Sequence, residues 1–369
     1  AFTEKYPDIE VEYIPVSWGD RVDKVVVSYV GGAMPDIFYV WGPDTFTVAH
    51  QGLAMNLQPL IDTDPSIEIG DFFSGALDMS SYKGQIYALP YDFGPLLLAY
   101  NKDILAGAGI DAPDGSWRWD EEFHDAARKI ARPEQSVWAT TVSLVTQPFM
   151  FRSFGAEIFD EDRTRATINS PAAADAAQFW VDAMLVHEYV WSPRVAPALG
   201  NPFSVGLAAF IEAGTWEIHR VMEEVNAGMA HMPSGPYRQI TDAEGSGFSI
   251  SSQTRHKEAA YLYLKELTST EGQLFLFPTF AATSRASALK QAMEQGLIAP
   301  QDVPAYQIAM EALLDYAEAD PWVSGIPGIT QITSVWSQWM DRMIHGDDPV
   351  TYVLAELERE MTQIMEANR

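Results

Sequence analysis

Aromatic and acidic side chains gather at the start of one apolar segment, residues 89–103. Tyr91, Asp92 and Phe93 run directly into an uncharged stretch that ends at Asn101. A short apolar run bounded by turn residues predicts a buried strand. Such a strand, with an aromatic ring and a carboxylate at its mouth, is suited to hold a polar small molecule, because the ring can stack and the carboxylate can accept hydrogen bonds.

Spacings typical of common enzymes are not found in the sequence. The seven histidines include no His-Glu-x-x-His zinc motif, there is no Gly-x-Ser-x-Gly nucleophile elbow, and no Lys follows a Gly as a P-loop requires. Residues 107–112 loosely match a dinucleotide fingerprint, but they follow a helical pattern rather than a strand. The sequence leaves open a pair of catalytic carboxylates for glycoside hydrolysis, because 51 acidic residues form pairs of every spacing.

Composition limits the classes of partner. The 369 residues are 47% hydrophobic and contain no cysteine, so they can form two or three cores and carry no disulfide or thiolate metal site. A net charge of −28 repels phosphate backbones and excludes nucleic acid as a partner. The acidity fits a solvated surface or adaptation to salty or alkaline surroundings. We expect no metal and no cofactor.

The sequence contains no apolar run near the roughly 20 residues that would span a bilayer. It begins at Ala1, with neither Met nor a signal peptide, which predicts a mature or trimmed product. These observations leave open whether the protein is secreted.

The first 44 residues predict alternating strands and helices. Residues 10–15 alternate in polarity like a strand, residues 21–30 place apolar side chains on one helical face, and residues 37–40 form a short apolar strand. The order strand, helix, strand is typical of a parallel βαβ unit. We expect residues 41–44 to form a loop after it.

Later segments are mainly helical. Ser170 and Pro171 indicate a helix start, since Ser is a good cap and Pro fits the first helical position. Residues 246–252 alternate and predict a strand. The predicted helices cover residues 121–131, 171–187, 256–267, 305–317, 332–344 and 349–366. The fold class is therefore α/β.

An ordered series of short motifs resembles the extracellular solute-binding proteins of carbohydrate ABC importers, the maltose-binding-protein-like group (solute-binding family 1). Each motif is weak alone, but the order and spacing hold over nearly the whole chain. The motifs are residues 2–15, 35–38, 52–53, 87–91, 100–103, 119–121, 166–171, 214–216, 245–251 and 256–260.

The resemblance implies a two-lobe periplasmic-binding-protein-like fold of type II, with a mainly parallel sheet flanked by helices in each lobe and a ligand cleft at the hinge. The N-terminal lobe is expected to comprise residues 1–101 and 248–290, and the C-terminal lobe residues 102–247 and 291–369. Family members usually begin with a strand and a long helix before the match to Tyr6-Pro7-Asp8-Ile9. The first strand of the N-terminal lobe is therefore expected to be absent.

The resemblance also implies a function. The chain would be the substrate-binding component of an ABC sugar importer, capturing a mono- or oligosaccharide between its lobes and delivering it to membrane permease subunits. It would be a monomer without enzymatic activity. It would lie in the periplasm or outside the cell, with a lipid anchor on a segment missing from this chain.

Candidate ligand-binding residues are aromatic, acidic or closely packed. Trp41 and Asp44 follow a strand at its carboxyl end, where open α/β folds bind ligands. Tyr91 and Asp92 lie at the mouth of the apolar strand, although Asp92 could equally cap a turn. Trp18 precedes a helix and could instead pack on it. Trp216 follows Gly214, whose lack of a side chain lets the backbone approach a ligand.

Further candidates follow from the resemblance. Gln147 and Phe149 occur where family members present a polar–aromatic pair, Gly247 and Phe248 begin a strand beside the expected cleft, and Arg285 is near a position that reaches the ligand in some relatives. Trp336 could face the cleft, although a core position fits it better.

Two alternatives remain open at this point. The solute could be a polyol, a glycerol phosphate or a peptide rather than a sugar, although the scarcity of Lys and Arg disfavours a phosphorylated ligand. A glycosidase-like enzyme is the alternative from another class.

Overall fold

The computed structural model describes residues 2–17, 20–277, 283–322 and 326–368. Its strands are β1 (Ile37–Trp41), β2 (Ser81–Tyr82), β3 (Gln85–Ile86), β4 (Leu89–Asn101), β5 (Thr140–Thr141), β6 (Val190–Trp191), β7 (Phe210–Gly214), β8 (Ala227–Ala230), β9 (Thr241–Ile250) and β10 (Ala317–Ala319). Its helices are α1 (Phe2–Lys5), α2 (Arg21–Val30), α3 (Gly42–His50), α4 (Gln58–Ile61), α5 (Ser74–Met79), α6 (Lys102–Ala108), α7 (His124–Ile130), α8 (Val142–Val145), α9 (Pro148–Ser153), α10 (Pro171–Leu185), α11 (Ile218–Glu224), α12 (Lys257–Leu267), α13 (Thr270–Leu276), α14 (Ala286–Glu294), α15 (Val303–Asp315), α16 (Ile329–Ile344) and α17 (Val350–Ala367). Within these ranges, no helix is both long enough and apolar enough to cross a membrane.

The chain folds into two compact units, each built from three separate stretches. The first unit comprises Ala1–Phe93, Glu244–Ile298 and Trp322–Ile329, and the second comprises Gly94–Ala243, Ala299–Pro321 and Thr330–Arg369. Two of the boundaries fall inside the long strands β4 and β9. The lobes predicted from the sequence have their boundaries at residues 101, 247 and 290. That each compact unit corresponds to one lobe stays a prediction.

An antiparallel pair of strands, β1 and β9, organises the first unit. Ile37 pairs with Ile250, and Trp41 pairs with Ser246. Because successive side chains of a strand alternate between faces, Phe38 and Val40 are buried together on one side of β1. They belong to a core cluster that also contains Val25, Val48, Leu53, Ala54 and Ala88. A second cluster consists of Leu57, Ile61, Ile67, Ile86, Leu89, Ile250, Ala260 and Leu264.

In the second unit, β7 and β8 pair with β4, and an aromatic cluster fills part of the core. Residues 96–100 of β4 run antiparallel to β7, and residues 98–101 run antiparallel to β8. The ring of Trp119 packs edge-on against Phe123 at 4.8 Å and against Trp180 at 5.8 Å between centroids. Phe123 in turn lies 5.1 Å from Phe210 of β7. This core fixes β7, which carries part of the candidate site.

The strand pairing differs from the sequence predictions. Residues 10–15 form no strand, and β1 pairs antiparallel with β9, so the predicted parallel βαβ unit is wrong. Among the six strand pairs whose register the described residues fix, four are antiparallel, whereas mainly parallel sheets were predicted. The physical reason is that an apolar pattern identifies a strand but not its partner, and the partner of β1 lies about 200 residues further along the chain.

Residues 41–44 do not form the predicted loop. α3 begins at Gly42, directly after β1, with Pro43 in its first turn. Proline fits there because the first N–H groups of a helix have no partner within the helix. Gly-Pro-Asp therefore marks a helix start here rather than a connecting loop.

Most of the predicted helices are confirmed. α2 has the predicted bounds, and α10 begins at Pro171 with the Ser170 hydroxyl accepting a hydrogen bond from the Ala173 N–H at 3.2 Å. The predicted helices at 256–267, 305–317, 332–344 and 349–366 correspond to α12, α15, α16 and α17 within three residues at each end. The first residues of the predicted helix at 121–131 form a π-helical turn, Trp119–Phe123, before α7.

The core position of β4 leads to a stability prediction. Leu97 is fully buried in the second unit, whereas Leu185 at the end of α10 is 47% exposed. We expect Leu97→Ala to lower the free energy of unfolding by about 2–5 kcal/mol, because it removes buried methyl groups and leaves a cavity. Leu185→Ala is the control and should cost less than about 1 kcal/mol. Urea unfolding measures both, and equal losses would contradict the assignment of β4 to the core.

Candidate functional site

A half-buried aromatic cluster covers one face of the β1–β9 pair in the first unit. Tyr39 and Phe248 are cross-strand partners whose rings meet edge-on at 5.6 Å. Tyr91 adds a third ring, 5.3 Å from that of Phe248. Burial raises the pKa of Tyr91 to about 12, so its hydroxyl group stays protonated at neutral pH. The cluster thus offers apolar ring surface together with hydroxyl groups.

Trp41 lies on the same face of β1 as Tyr39, next to a buried ion pair. The Arg21 Nε atom donates to Asp44 Oδ2 at 2.7 Å, and the guanidinium carbon of Arg21 lies 5.5 Å from the centre of the Trp41 ring. Burial raises the pKa of Asp44, and the positive charge of Arg21 opposes that effect. The pair ties α2 to the first turn of α3 and so fixes the end of β1, where Trp41 stands.

Asp92 is buried and bonded within the first unit. Its Oδ1 atom accepts hydrogen bonds from the backbone N–H and from the hydroxyl group of Ser246. Burial raises the pKa of Asp92 to about 6, although both hydrogen bonds from Ser246 act in the opposite direction. Asp92 therefore connects β4 to β9 by side-chain hydrogen bonds.

The space around Asp92 is narrow. It is lined by Gly42, Thr45, Ala76, Met79, Ser80, Asp92, Gly245, Ser246 and Gly247, which are packed too closely to admit a water molecule. Gly247 is itself needed for this packing, because a Cβ atom there would lie 2.7 Å from the carbonyl oxygen of Leu89. Asp92 and Gly247 are thus packed directly beside Tyr91 and Phe248 in the chain and support the strand positions that carry these rings.

A second candidate surface lies on β7 in the second unit. A Cβ atom on Gly214 would lie 2.3 Å from the indole ring of Trp216, so that ring covers the face of β7 to which residue 214 points. Because residues two apart on a strand point to the same face, the side chain of Glu212 points to the face of β7 that the Trp216 ring covers. The indole ring is half-buried and keeps exposed surface.

Two polar side chains border Glu212. Ser143 and Gln147 lie close enough for their hydrogen bonding to favour the ionised carboxylate, yet burial outweighs them and raises the pKa of Glu212 to about 7. The nearby negative charge of Glu217 acts in the same direction as burial. The Glu212 Oε2 atom is closed off from solvent and has no hydrogen-bond partner in the described part of the chain. An indole ring, an amide and a carboxylate thus share one face.

Phe149 and Trp336 lie beneath this region rather than on its surface. Phe149 is fully buried in α9. The Trp336 indole N–H donates to the carbonyl oxygen of Thr146 at 3.0 Å, directly before Gln147, and its ring meets Phe151 edge-on at 5.3 Å. Both side chains therefore support the segment that carries Gln147, in line with the core position that the sequence favoured for Trp336.

Arg285 is buried among carbonyl groups of the first unit. Its Nε atom donates to the carbonyl oxygen of Thr268 at 2.6 Å, and its Nη2 atom donates to that of Ile67 at 2.7 Å. Its Nη1 atom lies 3.2 Å from Asp71 Oδ2, and the guanidinium group stacks at 3.8 Å on the ring of Phe72. These bonds join the end of α12 to the segment before α5.

Of the predicted site residues, Trp18 lies outside the described residues. Trp41, Tyr91 and Phe248 are brought together with Tyr39 in the first unit, and Gln147 and Trp216 are brought together with Glu212 in the second. Three residues of these surfaces were not among the predicted site residues: Tyr39, Arg21 and Glu212. Alternation within β1 could have shown that Tyr39 shares a face with Trp41, and a lone acidic residue in the otherwise uncharged segment 207–214 could have pointed to Glu212.

A Ser-His-Asp arrangement occurs elsewhere in the second unit. The Ser192 Oγ atom lies 2.7 Å from His345 Nε2, and His345 Nδ1 lies 3.3 Å from Asp341 Oδ1. Ser192 is fully buried, so its hydroxyl group has no path to a substrate carbonyl. The arrangement joins the residue after β6 to the end of α16.

Known structures share this fold. An ABC substrate-binding protein of Listeria monocytogenes in complex with cycloalternan superposes with a TM-score of 0.86 at 21% identity, covering 99% of this chain and 94% of that one. A glycerophosphocholine complex of UgpB from Mycobacterium tuberculosis gives a TM-score of 0.85 at 20% identity, with 99% and 93% covered. The fold is therefore that of the two-lobe α/β periplasmic binding proteins.

The sequence gives the family. The model of the bacterial extracellular solute-binding protein family matches residues 1–274, and the chain belongs to that family. An uncharacterized lipoprotein of Streptomyces antibioticus is 29% identical over 130 residues, which are 35% of this chain and 28% of that protein. The chain thus spans less than a third of the length of this curated relative.

The Arg285 contacts lead to a prediction about stability. We expect Arg285→Lys to lower the free energy of unfolding by about 3 kcal/mol, because one ammonium group cannot replace the planar donor fork and leaves buried carbonyl groups unpaired. Arg255→Lys, at an exposed position of the same unit, is the control and should change stability by less than about 0.5 kcal/mol. Denaturant unfolding provides the measurement. A loss in Arg285→Lys no larger than in the control would refute the structural role.

Asp92 gives a prediction about pH. Its carboxyl ionises near pH 4 when the chain is unfolded but at about pH 6 when folded, so the folded state binds the extra proton between these values. Stability contributed by this group is therefore fully present below pH 4 and is lost as the pH rises to about 6, by about 3 kcal/mol. Asp92→Asn cannot ionise, so the variant should gain about that much relative to the unmutated chain between pH 4 and pH 7.

The measurement is urea unfolding of both proteins at intervals from pH 4 to pH 7. Asp23→Asn, at an exposed position of α2, is the control and should follow the unmutated chain at every pH. If the free energy of unfolding differed by a constant amount between Asp92→Asn and the unmutated chain over this range, Asp92 would have the same pKa in the folded and unfolded states. That outcome would contradict the prediction.

Proposed function

We propose that this protein is the substrate-binding component of an ABC importer and that its solute is a neutral sugar. The observation that carries the proposal is the half-buried Trp216 ring, which lies beside a carboxylate and an amide on one face of the second unit. Sugar rings stack their apolar faces on aromatic rings and direct their hydroxyl groups to carboxylate and amide partners. The cycloalternan complex of the Listeria relative supports a carbohydrate ligand.

The first unit offers a similar combination. Trp41, Tyr39, Tyr91 and Phe248 provide half-buried ring surface, and the hydroxyl groups of the two tyrosines provide hydrogen-bonding groups that stay neutral. The proposed ligand residues are therefore Trp41, Tyr39, Tyr91 and Phe248 in the first unit and Gln147 and Trp216 in the second. It stays a prediction that a single ligand contacts both lobes.

The other predicted residues take supporting positions in this proposal. Asp92, Asp44, Gly247 and Arg285 are bonded or packed within the first unit, and Phe149 and Trp336 support the segment of Gln147. They shape the ligand surfaces without touching the solute. A ligand contact of Trp18 stays a prediction.

Partners and location follow from the family. We propose that the loaded protein delivers its solute to membrane permease subunits, acts as a monomer and has no catalytic activity. Membership in an extracellular family supports a place in the periplasm or outside the cell. The similarity to a lipoprotein of Streptomyces antibioticus supports a lipid anchor.

A second candidate solute is a glycerol phosphodiester. The UgpB complex with glycerophosphocholine, which has nearly the same TM-score as the cycloalternan complex, favours this alternative. The Glu212 carboxylate near Trp216 disfavours it, because a negative charge repels a phosphate group. A ligand panel that contains both classes separates the two candidates.

Calorimetry of the chain against cycloalternan, maltose, tagatose, mannitol and glycerophosphocholine tests the proposed function. We expect at least one neutral sugar or polyol to bind with micromolar affinity or better, and glycerophosphocholine to bind more weakly. Heat from glycerophosphocholine alone would favour the second candidate. A chain that is folded by circular dichroism and binds none of these compounds would contradict the sugar-binding proposal.

The role of Trp216 is tested with the compound of this panel that binds most tightly. We expect Trp216→Ala to weaken its binding at least tenfold, because the stacking surface is lost, and Trp216→Phe to weaken it less. Trp339→Ala is the control, since Trp339 is a half-buried tryptophan of α16 whose indole N–H is bonded to Glu360. Unchanged affinity in Trp216→Ala, with an unchanged circular dichroism spectrum, would remove Trp216 from the site.

A further inference from the structure

Glu212 is a carboxylate in a strand that otherwise consists of apolar residues and glycine. β7 reads Phe-Ile-Glu-Ala-Gly, with Phe210, Ala213 and Gly214 buried. Placing a carboxylate in such surroundings costs free energy unless its oxygens are hydrogen-bonded. The Oε2 atom of Glu212 has no such partner among the described residues, so packing within the unit does not account for the residue.

The neighbours of Glu212 are those of a ligand site. The Trp216 ring lies on the same face of β7, and the side chains of Gln147 and Ser143 border the carboxylate. Ser143 is exposed, and Glu212, Gln147 and Trp216 are each partly exposed, so a solute can approach this face from solvent. The Glu212 Oε2 atom itself is covered, so the carboxylate has to turn toward the solute to bind it. Glu212 is thus a carboxylate with unused acceptor capacity beside an aromatic surface.

The charge around Glu212 indicates which solutes fit. Glu217 adds a like charge that disfavours the Glu212 carboxylate, and Arg220 of α11 offsets part of that charge through an ion pair with Glu217. The Glu212 carboxylate attracts hydroxyl donors but repels phosphate and carboxylate groups. A buried carboxylate oxygen without a partner also discriminates strongly, because a solute that lacks the donor leaves that oxygen unsatisfied.

We propose that Glu212 is a specificity-determining residue of the ligand site. Its carboxylate accepts a hydrogen bond from a hydroxyl group of a neutral, polyhydroxylated solute whose ring stacks on Trp216, and it selects against anionic solutes. This inference rests on the proposed function, since it names a contact of the same site.

The test compares Glu212→Gln, Glu212→Ala and the unmutated chain by calorimetry at pH 8, above the pKa of about 7 to which burial raises Glu212, so that its carboxylate is mainly ionised. The probes are cycloalternan, maltose, tagatose, mannitol and glycerophosphocholine. Glu223→Gln is the matched control, because Glu223 is an exposed glutamate of α11 in the same unit. Glu212→Gln keeps the shape of the side chain and removes the charge that burial disfavours, so it should fold, and urea unfolding checks this.

We expect Glu212→Gln to weaken binding of the neutral probe about tenfold, because a hydrogen bond to an ionised acceptor becomes one to a neutral acceptor. Glu212→Ala removes the acceptor altogether and should weaken binding by about 100-fold. Glu223→Gln should bind like the unmutated chain.

Each contrary outcome has its own meaning. A neutral probe that binds Glu212→Gln and Glu212→Ala as tightly as it binds the unmutated chain would overturn the role of Glu212 and leave the sugar-binding function intact. Tighter binding of glycerophosphocholine than of every neutral probe would overturn the selection against anionic groups. If the folded, unmutated chain bound no probe, the proposed function would fail and this inference with it.

Discussion

The aromatic surface of the first unit depends on one buried carboxylate. Asp92 accepts two hydrogen bonds from Ser246 and thereby joins β4 to β9 at the point where each strand carries an aromatic neighbour. Tyr91 precedes Asp92, and Phe248 follows Ser246 by two residues, so the bond lies close to the 5.3 Å contact between their rings and supports the pairing of β4 with β9 there. Burying this carboxylate raises its pKa and costs stability at neutral pH, which the packing of the unit must offset.

The second unit reaches a similar combination of groups by other means. Gly214 lets the indole ring of Trp216 lie directly against the strand, and alternation along β7 places Glu212 beside that ring. Buried side chains such as Phe149 and Trp336 fix the segment that carries Gln147. Strand geometry and core packing thus position a stacking ring, an amide and a carboxylate.

Sequence patterns predicted some of these features well and others not at all. α2 and α10 follow from helical periodicity and from the Ser170-Pro171 cap, which are local signals. The order of motifs predicted the family over most of the chain, and the match to residues 1–274 confirms it. Residue type and position make Asp92 and Arg285 candidates, but they do not show whether a charged group faces a ligand or is paired inside a unit.

The sequence by itself determined the fold class, the family and most of the helices, because these depend on local periodicity, caps and the order of short motifs. Only the tertiary structure decided that β1 pairs antiparallel with β9, that Arg21 holds Asp44, and that Glu212 lies beside Trp216. The physical reason is that these contacts join residues through strand pairing and burial. Side-chain burial and the resulting pKa values depend on neighbours that a linear pattern does not specify.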